Sequence, residues 1–169
     1  IESLQKIMIY RKTIFRIRSC FCNWGIRILN NKNGENSWLF SLIKEQNPDI
    51  YKEFIYLAKN TNEENIIKQF LIFVNLLDRI YLKNRHLHPQ VLILKQFKIK
   101  PDIFINLDNT MDMKYFIELI GQDFRKGNIS SNKNKDILFD YIKKNKDIES
   151  KILQIYNDDE ILFSSINEN

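Results

Sequence analysis

Alanine occurs once in the chain, at Ala58, against a large excess of isoleucine, asparagine and lysine. That bias is the mark of an AT-rich coding sequence, so clusters of Asn and Lys carry less functional information than usual. Cysteine is nearly absent. Cys20 and Cys22 are one residue apart, too close to bridge each other without strain. No second cysteine cluster exists to complete a zinc site. Histidine is as scarce: His86 and His88 flank Leu87, and the remaining sequence offers no histidine partner for a metal. No metal centre is therefore expected. No apolar run approaches the ~20 residues that span a bilayer, so no membrane partner is expected. The first residues, IESLQKIMIYRK, lack a small-residue cleavage site, so no signal peptide is expected. Unpaired cysteines and the missing leader point to a reducing, cytoplasmic setting.

What is present is a foldable composition. Hydrophobic residues make up 44% of 169 residues, enough for one domain (1–169) around one core. The net charge of +5 is a mild attraction toward polyanions, not a nucleic-acid signature by itself. Short apolar runs alternate with segments of helical periodicity. Strands are expected at residues 6–9, in the run after Gly25, at 71–77 (LIFVNLL), at 103–107 (IFINL) and at 161–166. Helices are expected at 13–22, 37–46, 50–59 and 110–124, with a long helical region from 137 to 156. Asn47-Pro48 stops one helix, and Asn62 or Thr61 caps another. Residues 30–36 and 126–134 read as loops. This alternation predicts an α/β fold: a parallel sheet covered by helices on both faces.

The stretch KIKPDIFINLDNTMDMKYFIELIG resembles the adenylate kinase and nucleoside monophosphate kinase family, where an IKPD turn leads into a core strand that ends in an acid. SWLFSLIKEQNPDIYKEF, NTNEENIIKQFL, FVNLLD and HPQVLILKQF are similar, in order, to further pieces of that family. The resemblance implies a three-layer domain with a five-stranded parallel sheet in the order 2-3-1-4-5 and a shortened lid.

The chemistry that should accompany the fold is largely missing. The family cradles phosphates with a glycine-rich loop, whereas KIMIYRKTIF keeps only Lys12 and Thr13. Glu35 and Phe40 stand where a phosphate-binding Thr and Arg would be, and Phe40 offers no bidentate fork. Glu118 and Gln122 stand in for lid arginines. After Arg125 no arginine follows, and Lys126, Lys133 and Lys135 are point charges on flexible stems. An arginine at a transferring phosphoryl group is worth ~10³–10⁵ in rate, so these losses together imply an inactive protein. The resemblance leaves a vestigial nucleotide set of Lys12, Thr13, Asp78, Arg85 and Gln90. A second basic set, Arg11, Arg16, Arg18, Arg27, Arg79 and Lys83, is a candidate for phosphate or RNA contacts, against the alternative of a solvated charged face.

Three expectations follow. The first is a catalytically inactive, adenylate kinase-like binding or structural component of a larger assembly, a ribosome or other ribonucleoprotein, without a cofactor. The second is a divergent nucleoside monophosphate kinase or nucleotide sensor using ATP or AMP with Mg. The third is an unrelated α/β domain.

Overall fold

The computed structural model describes residues 5–27, 37–121 and 133–167. Strand β1 (Ile7–Tyr10) leads directly into helix α1 (Thr13–Phe21), which continues as a π-helical segment, Cys22–Arg27. Helices α2 (Trp38–Gln46), α3 (Pro48–Lys59), α4 (Glu63–Ile80) and α5 (Gln90–Phe97) follow. Strand β2 (Ile103–Asn106) precedes helices α6 (Thr110–Ile120), α7 (Lys133–Lys144), α8 (Lys146–Ile155) and α9 (Asn157–Asn167).

Local chemistry explains most of the boundaries. Asn47 Oδ1 accepts the N–H groups of Asp49 and Ile50 at 3.0 and 3.1 Å, and Pro48 occupies the first helical position of α3, where its missing N–H costs nothing. Asn62 Oδ1 takes the Asn65 N–H at 2.8 Å, with Glu63 and Glu64 on the positive end of the α4 dipole. Asn109 caps α6 in the same way. Gly121 ends α6 at φ +67°, a conformation that glycine adopts without a side-chain penalty.

The five-stranded, three-layer α/β sheet in the order 2-3-1-4-5 is corrected by the structure. Among the described residues the sheet has two strands, and the chain is mostly helical. β1 and β2 run parallel, Ile7 opposite Ile103 and Tyr10 opposite Asn106. The run 71–77 is the middle of α4, and 161–166 belongs to α9. In α4 the buried residues Ile66, Phe70, Phe73, Val74, Leu77 and Ile80 recur every three or four positions, so one broad face enters the core. In α9 three acids, Asp158, Asp159 and Glu160, occupy the first turn, where the helix dipole favours them. Most of the expected second strand and the lid, with Glu35, Gln122, Arg125 and Lys126, lie outside the described residues, as does the side chain of Arg27.

The main core is made by helices. Phe21 is fully buried and meets Phe54 and Phe70 edge-on, with ring centroids 6.4 and 5.2 Å away, and Phe73 at 5.4 Å. Ile17, Phe40, Leu77, Ile152 and Tyr156 belong to the same cluster. The sheet has its own small cluster, in which Ile105 packs against Met113 and Phe116 of α6. The sheet is therefore a flank of the molecule and not its centre.

Candidate functional site

The carboxyl ends of β1 and β2 bring Arg11 and Lys12 against Asp108. Arg11 Nε lies 3.2 Å from Asp108 Oδ1, close enough for charge attraction although the N–H is not aimed along a hydrogen bond. Asp108 Oδ2 accepts the Lys12 N–H at 3.0 Å. Burial raises the Asp108 pKa, and Arg11 with the Lys12 N–H opposes that rise. The side chain of Gln90 then clamps the backbone of Arg11, accepting its N–H at 3.2 Å and donating to its carbonyl at 2.8 Å.

A buried polar network joins α1, α5 and α9. Asp159 has no exposed surface. Its two carboxylate oxygens accept the N–H groups of Gln90 (2.9 Å) and Val91 (2.8 Å), so a residue from α9 satisfies the first donors of α5. Arg16 donates to Asp159 Oδ2 at 3.1 Å and to the His88 carbonyl at 2.7 Å, and its guanidinium stacks 4.8 Å from the Tyr156 ring. The Tyr156 hydroxyl donates to the Leu87 carbonyl at 2.7 Å. Arg18 sits over the rings of Phe15 and Phe139, and burial lowers its pKa.

Beside this network lies a cleft of about 170 Å³ lined by Arg11, Arg16, Ser19, Asn23, Trp24 and His86. Its wall is aromatic. His86 stacks on Trp38 (5.7 Å, 17° between planes) and tilts against Trp24 at 5.1 Å, while the two tryptophans are 5.7 Å apart. Burial, and then the charge of Arg85, lowers the His86 pKa and so favours the neutral imidazole. Arg85 is exposed and makes no ion pair among the described residues.

The residues singled out from sequence are thus distributed over several places. Lys12 and Thr13 line a cavity of about 360 Å³ at the start of α1, whereas Asp78 lines another, of about 450 Å³, with Tyr81, Lys151 and Gln154. Gln90 is committed to the backbone of Arg11, and Arg85 lies in the α4–α5 connection. Lys83 pairs with Glu45, and Arg79 is exposed. Asp108 already occupies the Lys12 N–H, which puts a carboxylate where a bound phosphate would be repelled. Of the residues assigned to ATP and Mg by resemblance, Gln90 binds the backbone next to Lys12 and Thr13 whereas Asp78 lines a separate cavity, and among the described residues no three His, Cys, Asp or Glu side chains are grouped to hold a metal.

Sequence reasoning passed over Asp159; it placed Trp38 in the core and His86 in a solvated loop, and Trp38 does pack on the core while His86 is exposed, but their contact with each other was not foreseen. Their partners are far away in the chain, so no local pattern marks them. Among the described residues no helix is long and apolar enough to cross a membrane. The fold and site define a mostly helical domain with a two-stranded parallel flank and a basic, aromatic-walled cleft. Neither protein-family models, nor curated proteins, nor solved structures provide a match to this chain.

Proposed function

We propose that the protein is a non-catalytic binding component of a ribonucleoprotein assembly and that it holds single-stranded RNA at the cleft beside Trp24, Trp38 and His86. The observation that carries the reading is the juxtaposition of Arg11 with Trp24 and His86 in one cleft, with Trp38 packed against both of those rings. Unpaired bases stack on aromatic faces, and arginines take the neighbouring phosphates. Arg85, exposed beside His86, supplies a charge that the fold does not consume. Arg16 and Arg18 are largely consumed: the Arg16 side chain is only 15% exposed and bound to Asp159, so these two shape the site and do not contact RNA. Absence of catalysis is supported by Asp78 lining a different cavity from Lys12 and Thr13, and by Gln90 being committed to the backbone of Arg11. A cytoplasmic setting is part of the reading, supported by the free thiols of Cys20 and Cys22.

The chain has two tryptophans: Trp24 lines the cleft, and Trp38 packs against both Trp24 and His86. Intrinsic fluorescence therefore reads the site directly. Titration with short single-stranded RNA at low salt should quench the emission. Log affinity should fall with log salt at about −0.7 per phosphate engaged. Arg85→Ala should weaken binding and reduce that slope by about one phosphate. Unchanged emission at low salt with RNA in excess would remove the reading. Binding of ATP and AMP with phosphoryl transfer above a no-protein control would favour the kinase alternative.

A further inference from the structure

The cavity at the start of α1 is separate from the aromatic cleft and has a composition of its own. The first turn of α1 forms one wall, with Lys12, Thr13, Ile14 and Phe15 all lining it. The other walls come from α7, α8 and α9. Helix α1 has no side-chain cap among the described residues: Lys12 sits at the capping position and has no acceptor to offer. The N–H groups of the first turn have no acceptor within the helix either. Thr13, only 1% exposed, has a buried Oγ1 without a hydrogen-bond partner among the described residues. A buried hydroxyl left without a partner is uncommon and calls for one.

A second orphan lies in the same lining. Glu160 Oε1 is buried and has no hydrogen-bond partner among the described residues. It needs a donor, where the Thr13 side needs an acceptor or an anion. Of the lysines in the lining, Lys146 is held by Glu149 at 2.6 Å, while Lys12 and Lys143 are exposed. Between the polar groups the walls are apolar: Phe15, Phe139, Ile142 and Leu153. A volume of about 360 Å³ is at the small end of the range for organic ligands.

We infer that this cavity binds a small zwitterion with an apolar side chain, an α-amino acid of the aromatic or large aliphatic class. Its carboxylate faces the uncapped first turn of α1, the Thr13 hydroxyl and Lys12. Its ammonium donates to Glu160. Its side chain lies among Phe15, Phe139, Ile142 and Leu153. A simple anion would leave the Glu160 oxygen unpaired and would be repelled by it. A purely apolar ligand would leave both orphans as they are. Asp108, bound to the Lys12 N–H, opposes a singly charged carboxylate less than a phosphate, and Arg11, 3.2 Å away, offsets part of its charge.

The test is calorimetric titration of the whole chain with L-phenylalanine and L-leucine. Each is compared with two truncated probes, the carboxamide and the deaminated acid. One-to-one binding of an amino acid is expected, with each truncated probe weaker by roughly tenfold or more, since each leaves one charged partner unmatched. Glu160→Gln should abolish the preference for the amine while leaving the deaminated acid's affinity unchanged or improved. That substitution is on a partly exposed residue and nearly isosteric, so the variant is expected to fold. Thr13→Val, checked for a native melting profile, should weaken all carboxylate-bearing probes. Three results would overturn the inference: no heat at millimolar amino acid, equal affinity for the deaminated acid, or displacement of a bound amino acid by AMP or ATP. None of them bears on RNA at the tryptophan cleft, which fluorescence reads separately.

Discussion

Replacing Asp159 by alanine should destabilise the protein more than any exposed substitution. The carboxylate is completely buried and satisfies three donors: two backbone N–H groups at the start of α5 and the Arg16 guanidinium. Alanine leaves Arg16, whose side chain is 15% exposed, with one remaining acceptor, the His88 carbonyl. Removing one partner of a buried ion pair costs about 3–5 kcal/mol, because the other charge stays desolvated. The two orphaned N–H groups belong to the same loss, so the figures are not added. For a chain of this size each kcal/mol moves the melting midpoint by about 2–4 °C, which gives a fall of roughly 6–20 °C. Circular dichroism melts and urea titration of the wild type, Asp159→Ala, Arg16→Met and the double variant would measure it. The double variant should lose less than the sum of the two single ones, because neither charge is then left alone. A loss below about 1 kcal/mol in Asp159→Ala, or strict additivity in the cycle, would refute the view that this network holds α1, α5 and α9 together.

Two further outcomes follow from the core. A Cβ at Gly25 would lie 2.9 Å from Phe21 Cε2 and 3.0 Å from Cδ2, and Phe21 is hemmed in by Phe54, Phe70 and Phe73. Gly25→Ala should therefore cost about 1–3 kcal/mol by overpacking, reduced by up to ~1 kcal/mol of helix propensity; a net gain in a urea titration would mean that the ring yields. Burial pushes the thiols of Cys20 and Cys22 up to about 12. Alkylation of the native protein near pH 8 should be about a thousandfold slower than in the unfolded chain, because the thiolate fraction falls by about tenfold per unit. The folded pKa is raised above the unfolded value of 9.0, so this contribution is intact below pH 9 and declines as pH rises from there towards 12. Replacing both cysteines by alanine should remove that alkaline decline in melting midpoint, and rapid alkylation of the native wild type would contradict the burial argument.

The local features of the sequence determined the local structure. Asn47-Pro48, Asn62 and Asn109 act on N–H groups two or three residues away, so their capping chemistry is written in adjacent residues. The run at 103–107 is short, β-branched and bounded by Pro101 and Asp108, and β2 falls there. Composition pointed away from a long apolar span, and among the described residues no helix is long and apolar enough to cross a membrane. The runs at 71–77 and 161–166 were another matter. A short apolar stretch suits a buried strand and a buried helix face equally well, and what decides is the partner. For residues 71–77 the partner is the phenylalanine cluster around Phe21, which rewards a three-to-four-residue spacing. For residues 161–166 it is Tyr10, on which Phe163 stacks at 4.5 Å.

The candidate sites were decided almost entirely by tertiary structure. Arg16 finds Asp159 at a separation of 143 residues and His88 at 72, and Lys12 finds Asp108 at 96. Sequence marked those arginines as available charge. The fold committed Arg16 and Arg18 to internal partners, and it carried Trp24, Trp38 and His86, from three different segments, into one cluster of rings. Charge and aromaticity are properties of residues and can be counted from the sequence. Whether they face a ligand or one another depends on burial and on distances between segments remote in the chain, which exist only once the helices have packed.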